Sequence, residues 1–157
     1  MSVEIRLRQA TGLDLPMIKE LLKSSNLPFE DISQKAGSMF VAYAHSKVIG
    51  IGGLEVYGNV GLLRSVVVEE SIRGKGYGKA LVHELTENAE LVGVKELYLL
   101  TTSAERFFAQ LGFHKVKRNR APAPIRDTTE FKELCPVTSA LMLRRTELDS
   151  RADFNPG

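Results

Sequence analysis

Arg73-Gly74-Lys75-Gly76-Tyr77-Gly78-Lys79 decides the reading of this chain. The stretch follows a β-branched run, Val66-Val67-Val68, and leads into an amphipathic segment from Ala80 to Val92. Glycines and cations therefore stand together where a strand hands over to a helix. The first N–H groups of a helix have no intrahelical acceptor and carry partial positive charge. A phosphate placed there satisfies them. Glycine lets the backbone approach the anion with no Cβ in the way, and Arg73, Lys75 and Lys79 add mobile charge. The pattern reads as a pyrophosphate cradle. The alternative is a basic, glycine-rich loop without a ligand.

Two common cradles do not fit. The P-loop pattern puts glycine where Arg73 stands and Ser or Thr where Ala80 stands. The dinucleotide fingerprint asks for glycine at position 79 or 81, which hold Lys79 and Leu81. The pattern R/Q-x-x-G-x-G/A does match, from Arg73 to Gly78. In this the chain resembles the GNAT N-acetyltransferases, whose acyl-CoA pyrophosphate loop has that form.

Outward from the cradle, strand and helix signals alternate. Val3 to Arg8 alternates apolar and polar residues, as a half-buried strand does. Thr11 and Asp14 are spaced like a capping box, and Leu15, Ile18 and Leu22 recur at helical spacing until Asn26-Leu27-Pro28. Met39 to Ala44 and Val48 to Val56 read as a hairpin turning near His45-Ser46-Lys47, and Gly58-Asn59 makes a second turn. Leu62 to Val68 is the next strand, and Leu97 to Thr101 is a short apolar run of the buried-strand type. Ala104 to Leu111 reads as a short helix closed by Gly112; Phe113 to Val116 and Ala140 to Arg144 read as a last strand pair.

Composition limits the field. A chain of 157 residues is the size of one domain, with a hydrophobic content of 43% and a charged content of 25% typical of globular proteins. We expect one domain over 1–145 and a flexible tail over 146–157. The net charge of +2 is too small to imply nucleic acid. No apolar run approaches a membrane span, and the stretch from Met1 to Arg6 lacks a signal-peptide core. The single cysteine, Cys135, cannot form an internal disulfide, which fits a reducing cytoplasm. One thiol does not make a metal site, and none of His45, His83 and His114 stands in a motif relation to it.

The resemblance extends from about Val3 to Arg145, and its element order implies the GNAT fold: an α/β (α+β) domain with a mixed, mostly antiparallel central sheet flanked by helices. Leu62 to Val68 resembles the family's central strand, whose bulged backbone pairs with pantetheine amides. Ala104 to Phe113 resembles its A-x-x-F-Y-x-x-x-G-F box. The implied co-substrate is acetyl-CoA, held by Val66, Val67, Val68, the cradle from Arg73 to Lys79, Thr102, Phe107 and Phe108. The implied oxyanion donor is a backbone N–H near Val66. The tyrosine used by many members as general acid falls at Phe108, which cannot donate a proton. Tyr98 is a weak substitute, since a strand tyrosine commonly packs its ring and wets its hydroxyl.

Acetyl transfer to an amine needs a base or a water chain for the amine proton and fixed donors for the oxyanion. Glu55 is the candidate base, with a solvated edge glutamate as the other reading. Ser65 is the second catalytic candidate. Strict strand alternation puts Arg64 and Val66 on one face and Ser65 on the other. Arg64, set in an apolar strand, requires a partner or a polar cleft. It could hold Glu55, hold a substrate carboxylate, or form a purely structural ion pair.

The C-terminal third concerns the acceptor. Between the last two strands lies a long insertion with three prolines, Pro122, Pro124 and Pro136; long ordered loops are usually functional. It resembles the closing segment of N-acetylglutamate-synthase-like enzymes and, more closely, of the N-acetyltransferases of arsenic-resistance operons. The residues concerned are Leu62 to Ser65, Phe107-Phe108 and Cys135 to Ala140. The implied acceptor is the amino group of a small amino-acid-like molecule, with Leu27, Arg64, Arg118, Arg120, Cys135 and Thr138 as candidate contacts. Arg118 and Arg120 read alternatively as a solvated basic loop. A non-catalytic acyl-CoA sensor and a protein or peptide acetyltransferase are the competing functions, and a homodimer is the expected assembly if any forms.

Overall fold

In the computed structural model, which describes residues 3–134 and 138–146, the alternating segments become strands and the 3.6-period segments become helices. The strands are β1 (Arg6–Gln9), β2 (Met39–Ala44), β3 (Lys47–Tyr57), β4 (Val60–Val68), β5 (Glu96–Thr101), β6 (His114–Val116) and β7 (Ala140–Arg145). The helices are α1 (Leu15–Ser24), α2 (Tyr77–Leu91), α3 (Glu105–Ala109) and α4 (Ala123–Arg126). The strands form one mixed sheet in the order β1-β2-β3-β4-β5-β7-β6. β2 pairs antiparallel with β1 and with β3, and β7 pairs antiparallel with β5 and with β6. β4 and β5 run parallel, with Val60 opposite Glu96 and Leu62 opposite Tyr98. A parallel pair needs a crossover element, and α2 is that element.

By its contacts the chain divides into two units, one of residues Met1–Leu54 and Arg64–Leu85, the other of Glu55–Leu63 and Thr86–Gly157. In the first unit the capping box is present: Thr11 Oγ1 accepts from Leu13 N at 3.3 Å and Asp14 Oδ2 accepts from Thr11 N at 2.8 Å. α1 then buries Ile18 and Leu22 completely, in a cluster with Ile32, Met39, Val41, Ile51 and Val67. Burying side chains of this size stabilises by about 1.5–3 kcal/mol each. The α1 helix stops at a left-handed Asn26, φ 56°, just ahead of Pro28. The β2–β3 turn has positive φ at His45 and Ser46. Gly50 is held to glycine by crowding, since a Cβ there would lie 2.3 Å from the Val67 carbonyl oxygen.

In the second unit Val60, Leu62, Tyr98, Ala121, Ile125, Leu141 and Leu143 form the core. Gly112, φ 94°, closes the turn after α3 as a C-terminal glycine does. The segment between β6 and β7, expected as a long loop, is instead helical in parts: a 3-10 turn at Arg118–Arg120, α4, and a π-helical turn at Glu130–Leu134. The prolines explain it. Pro122 is the extended residue before α4 and Pro124 falls in its first turn, where the missing N–H costs nothing. Thr146, assigned to the tail from the sequence, is buried and its hydroxyl donates to Val94 O at 2.8 Å. Among the described residues no helix is long and apolar enough to cross a membrane.

Candidate functional site

The cradle belongs to the first unit. Glu69 caps the 3-10 turn Glu70–Ile72 that follows β4, accepting from Ser71 N at 3.2 Å. Gly74 and Gly76 then take φ of 83° and 88°, which L side chains rarely adopt. Among the described residues a Cβ at Gly74 would meet nothing within 4 Å, so conformation and not crowding selects glycine there. The N–H of Ala80 reaches Gly76 O at 3.2 Å. The amides of Tyr77, Gly78 and Lys79 come before it, at the opening of α2. Lys75 and Lys79 are exposed. On β4, Val67 enters the core while Val66 and Val68 are half-buried.

Arg73 does more than add charge. Its Nε donates to Val68 O at 2.9 Å and its NH2 group to Ser25 Oγ at 3.2 Å. The cradle's first residue therefore ties the end of β4 to the end of α1.

Arg64 has found its partner, Asp31, which the sequence reading missed. NH1 donates to Asp31 Oδ2 at 2.6 Å and NH2 to Oδ1 at 2.8 Å, a bidentate fork. The side chains retain 1% and 5% of their exposure. Of the readings offered for Arg64, an acceptor clamp and a structural ion pair, this fork matches the second: it holds the protein's own carboxylate. Arg64 Nε donates to Ser65 Oγ at 3.1 Å, so the two side chains lie together and not on opposite faces. The reason is local: Ser65 has φ 59°, a left-handed residue inside a strand, and this breaks the alternation on which the expectation rested. Leu27, the remaining acceptor candidate of this unit, is half-buried and packs against the α1 cluster.

In the second unit Glu55 is only 3% exposed, so it is not a solvated edge residue. The Tyr57 hydroxyl donates to Glu55 Oε1. Residues two apart on a strand share a face; that signal was readable in Gly53-Leu54-Glu55-Val56-Tyr57, and Tyr57 was missed. Tyr98 is 1% exposed and its hydroxyl bonds Glu96 Oε1 at 3.2 Å. Burial, with Glu96 adding to it, pushes its phenol above the usual tyrosine range, as fits a packed tyrosine. Phe108 is 9% exposed, edge-to-face with Phe107 at 5.1 Å and Phe113 at 5.7 Å. Thr102 and Thr138 are exposed.

The two basic candidates of the insertion are not merely solvated. The Arg118 guanidinium lies 4.5 Å from the Phe131 ring centroid, a cation–π contact, and donates to Ser139 O at 3.0 Å and Ser139 Oγ at 3.1 Å. Arg120 is half-exposed and lies 3.8 Å from Glu96. Cys135 lies outside the described residues. Among the described residues no His, Cys, Asp and Glu cluster could hold a metal.

The first unit thus carries a glycine turn with left-handed φ at the start of α2 and a left-handed residue, Ser65, within β4. The sequence model of the acetyltransferase (GNAT) domain matches residues 35–115, more than half of the chain, and the chain belongs to this family. It is an acyltransferase with acetyl-CoA as co-substrate. An amino-acid acetyltransferase of Mycobacterium tuberculosis is 29% identical over 140 residues, covering 82% of this chain and 76% of that protein. An uncharacterized N-acetyltransferase of Chlorobaculum tepidum is 31% identical over 113 residues, covering 71% of this chain and 70% of that one. Among solved structures, N-acetylglutamate synthase of Neisseria gonorrhoeae, complexed with coenzyme A and L-arginine, superposes with a TM-score of 0.78 at 21% identity over 92% of this chain. The chain spans only 34% of that synthase, and at this identity the likeness speaks for the fold.

Proposed function

We propose that the protein transfers the acetyl group of acetyl-CoA to the amino group of a small amino-acid-like acceptor, by direct attack in a ternary complex. The observation that carries this reading is the left-handed pair Gly74 and Gly76 immediately before the α2 N-terminus. That turn presents the amides of Tyr77, Gly78 and Lys79, with Lys75 and Lys79 beside them, to the diphosphate. The amino-acid acetyltransferase relative supports the acceptor class.

Acetyl-CoA supplies a thioester carbonyl open to attack by a neutral amine. The protein's contribution is arrangement. The Val66 N–H, directly after the bend at Ser65, is the donor for the developing oxyanion. Glu55 receives the amine proton through water, with Tyr57 holding its carboxyl. Phe108 gives no proton to the sulfur. A thiol with a pKa of about 8.5 leaves without that help. Val67, Val68, Arg73, Thr102 and Phe107 complete the proposed donor contacts, and Leu27, Arg118, Arg120, Cys135 and Thr138 the proposed acceptor contacts. An acceptor bearing arsenic rests on the resemblance at Leu62 to Ser65, Phe107-Phe108 and Cys135 to Ala140. Residues 1–145 form the proposed catalytic domain, working in the cytoplasm, and pairing through sheet edges is the proposed assembly.

Thiol release from acetyl-CoA across an amino-acid panel, with arsenic- and phosphorus-bearing analogues included, tests the reading. Turnover on an amino acid is the expected result. Tight coenzyme binding with no turnover on any amine makes the protein a sensor, and turnover confined to peptides makes it a peptide acetyltransferase.

A further inference from the structure

The Arg64 guanidinium binds Asp31 and Ser65 together. Its two terminal nitrogens hold Asp31 at 2.6 and 2.8 Å, and its Nε holds Ser65 Oγ at 3.1 Å. Asp31 and Arg64 are 33 residues apart in sequence, and both are buried. A buried ion pair is weak evidence for stability, because desolvation offsets much of the attraction. What this one does have is a place. Ser65 stands in the left-handed region at φ 59°, a conformation that costs a non-glycine residue energy and persists only where the surroundings impose it. Its side chain is gripped by the residue before it, which is in turn gripped by Asp31. The next N–H along the chain is that of Val66.

We propose that Asp31 is a positioning residue of the acetyl-transfer reaction: it locks Arg64, Arg64 locks the Ser65 bend, and the bend aims the Val66 amide. The inference deepens the proposed function and rests on it for the role of Val66. It also gives a reason for the segment after α1 to be fastened twice to β4. Ser25 is tied by Arg73, which also holds Val68 O, and Asp31 is tied by Arg64. The acceptor candidate Leu27 lies between the two fastenings. Asp31 therefore controls the geometry of the reacting centre without touching either substrate.

The test is Asp31→Asn, which keeps the shape and removes the charge. Turnover per folded molecule should fall about 10- to 100-fold, as small misplacements at a reacting centre do. The KM for acetyl-CoA should stay within about twofold, since the cradle is untouched. In Asp31→Gly, added formate should recover part of the turnover by refilling the Arg64 fork. Turnover per folded molecule within about twofold of wild type would overturn the inference. If neither variant folds, Asp31→Glu, which keeps the charge but moves it by one methylene, is read by the same criteria. Amide resonances give an independent readout in ¹⁵N-labelled protein. Those of Ser65 and Val66 should shift in Asp31→Asn (or Asp31→Glu) while those of Gly76 and Gly78 stay. If wild type acetylates no amine, the proposed function fails, and the resonances alone decide the inference: unmoved Ser65 and Val66 amides refute it.

Discussion

The Tyr57 hydroxyl donates to the Glu55 carboxylate two residues before it on β3, and the carboxylate is almost fully enclosed. A buried carboxyl group held by a phenol is restrained in orientation, which a base acting through water requires.

Glu55→Gln should lower turnover about 100-fold or more while leaving coenzyme affinity unchanged, because general-base contributions are of that size. Tyr57→Phe removes one donor from the same carboxylate and should lower turnover less, with a stability loss of about 1 kcal/mol. Steady-state kinetics and calorimetry with coenzyme A check both. Wild-type turnover in Glu55→Gln across the pH range would remove Glu55 from its role.

Gly76 permits charge and conformation to be separated. Among the described residues a Cβ there would touch only Val3 Cγ2 at 3.5 Å, an ordinary contact, so the main penalty of Gly76→Ala comes from φ 88°; left-handed backbone costs about 1–2 kcal/mol. Gly76→Asp adds an anion facing the proposed diphosphate site. Like charges about 4 Å apart near a surface repel by a few kcal/mol, so coenzyme affinity should fall about tenfold or more below that of Gly76→Ala. Equal affinities in calorimetry would show that the turn does not hold the diphosphate.

Gly50→Ala should destabilise the fold by about 1–3 kcal/mol, the range of overpacked sites. The added carbon would meet the Val67 carbonyl oxygen and backbone of Val68, neither of which can rotate away. Urea unfolding of the variant and wild type measures the loss. An unchanged midpoint would mean that β3 and β4 move apart at little cost.

The Arg8–Asp14 pair should be visible in the acid stability of the protein. Arg8, with the Thr11 amide adding to it, holds the Asp14 carboxyl down at about 2, below its usual 3.8. A depressed carboxyl stabilises the fold above its unfolded pKa and loses that effect as pH falls toward its folded value. Asp14→Ala should therefore lower Tm at neutral pH, by an amount corresponding to a capping loss of about 1 kcal/mol. The gap from wild type should narrow between about pH 4 and pH 2. A constant gap over that window would exclude the ionised carboxylate as its source.

The amino-acid order alone settled whatever depends on near neighbours. The glycine turn at 74–76, the Thr11–Asp14 box, the hairpin at His45-Ser46, the C-terminal glycine at 112 and the sequence of strands and helices all follow from spacing and backbone preference within a few residues. The enclosed state of Glu55 and its bond to Tyr57 were half legible, through strand period but not burial. The tertiary structure decided the rest. The partner of Arg64 is Asp31, 33 residues away, and no local preference encodes such a pair. The bond of Arg73 to Ser25, 48 residues away, is of the same long-range kind. Ser65 looked like an ordinary strand residue because nothing in its own chemistry demands a positive φ; its side-chain bond to Arg64, itself held by Asp31, accompanies that bend. Local terms chose the elements, and long-range polar pairing chose which side chains meet.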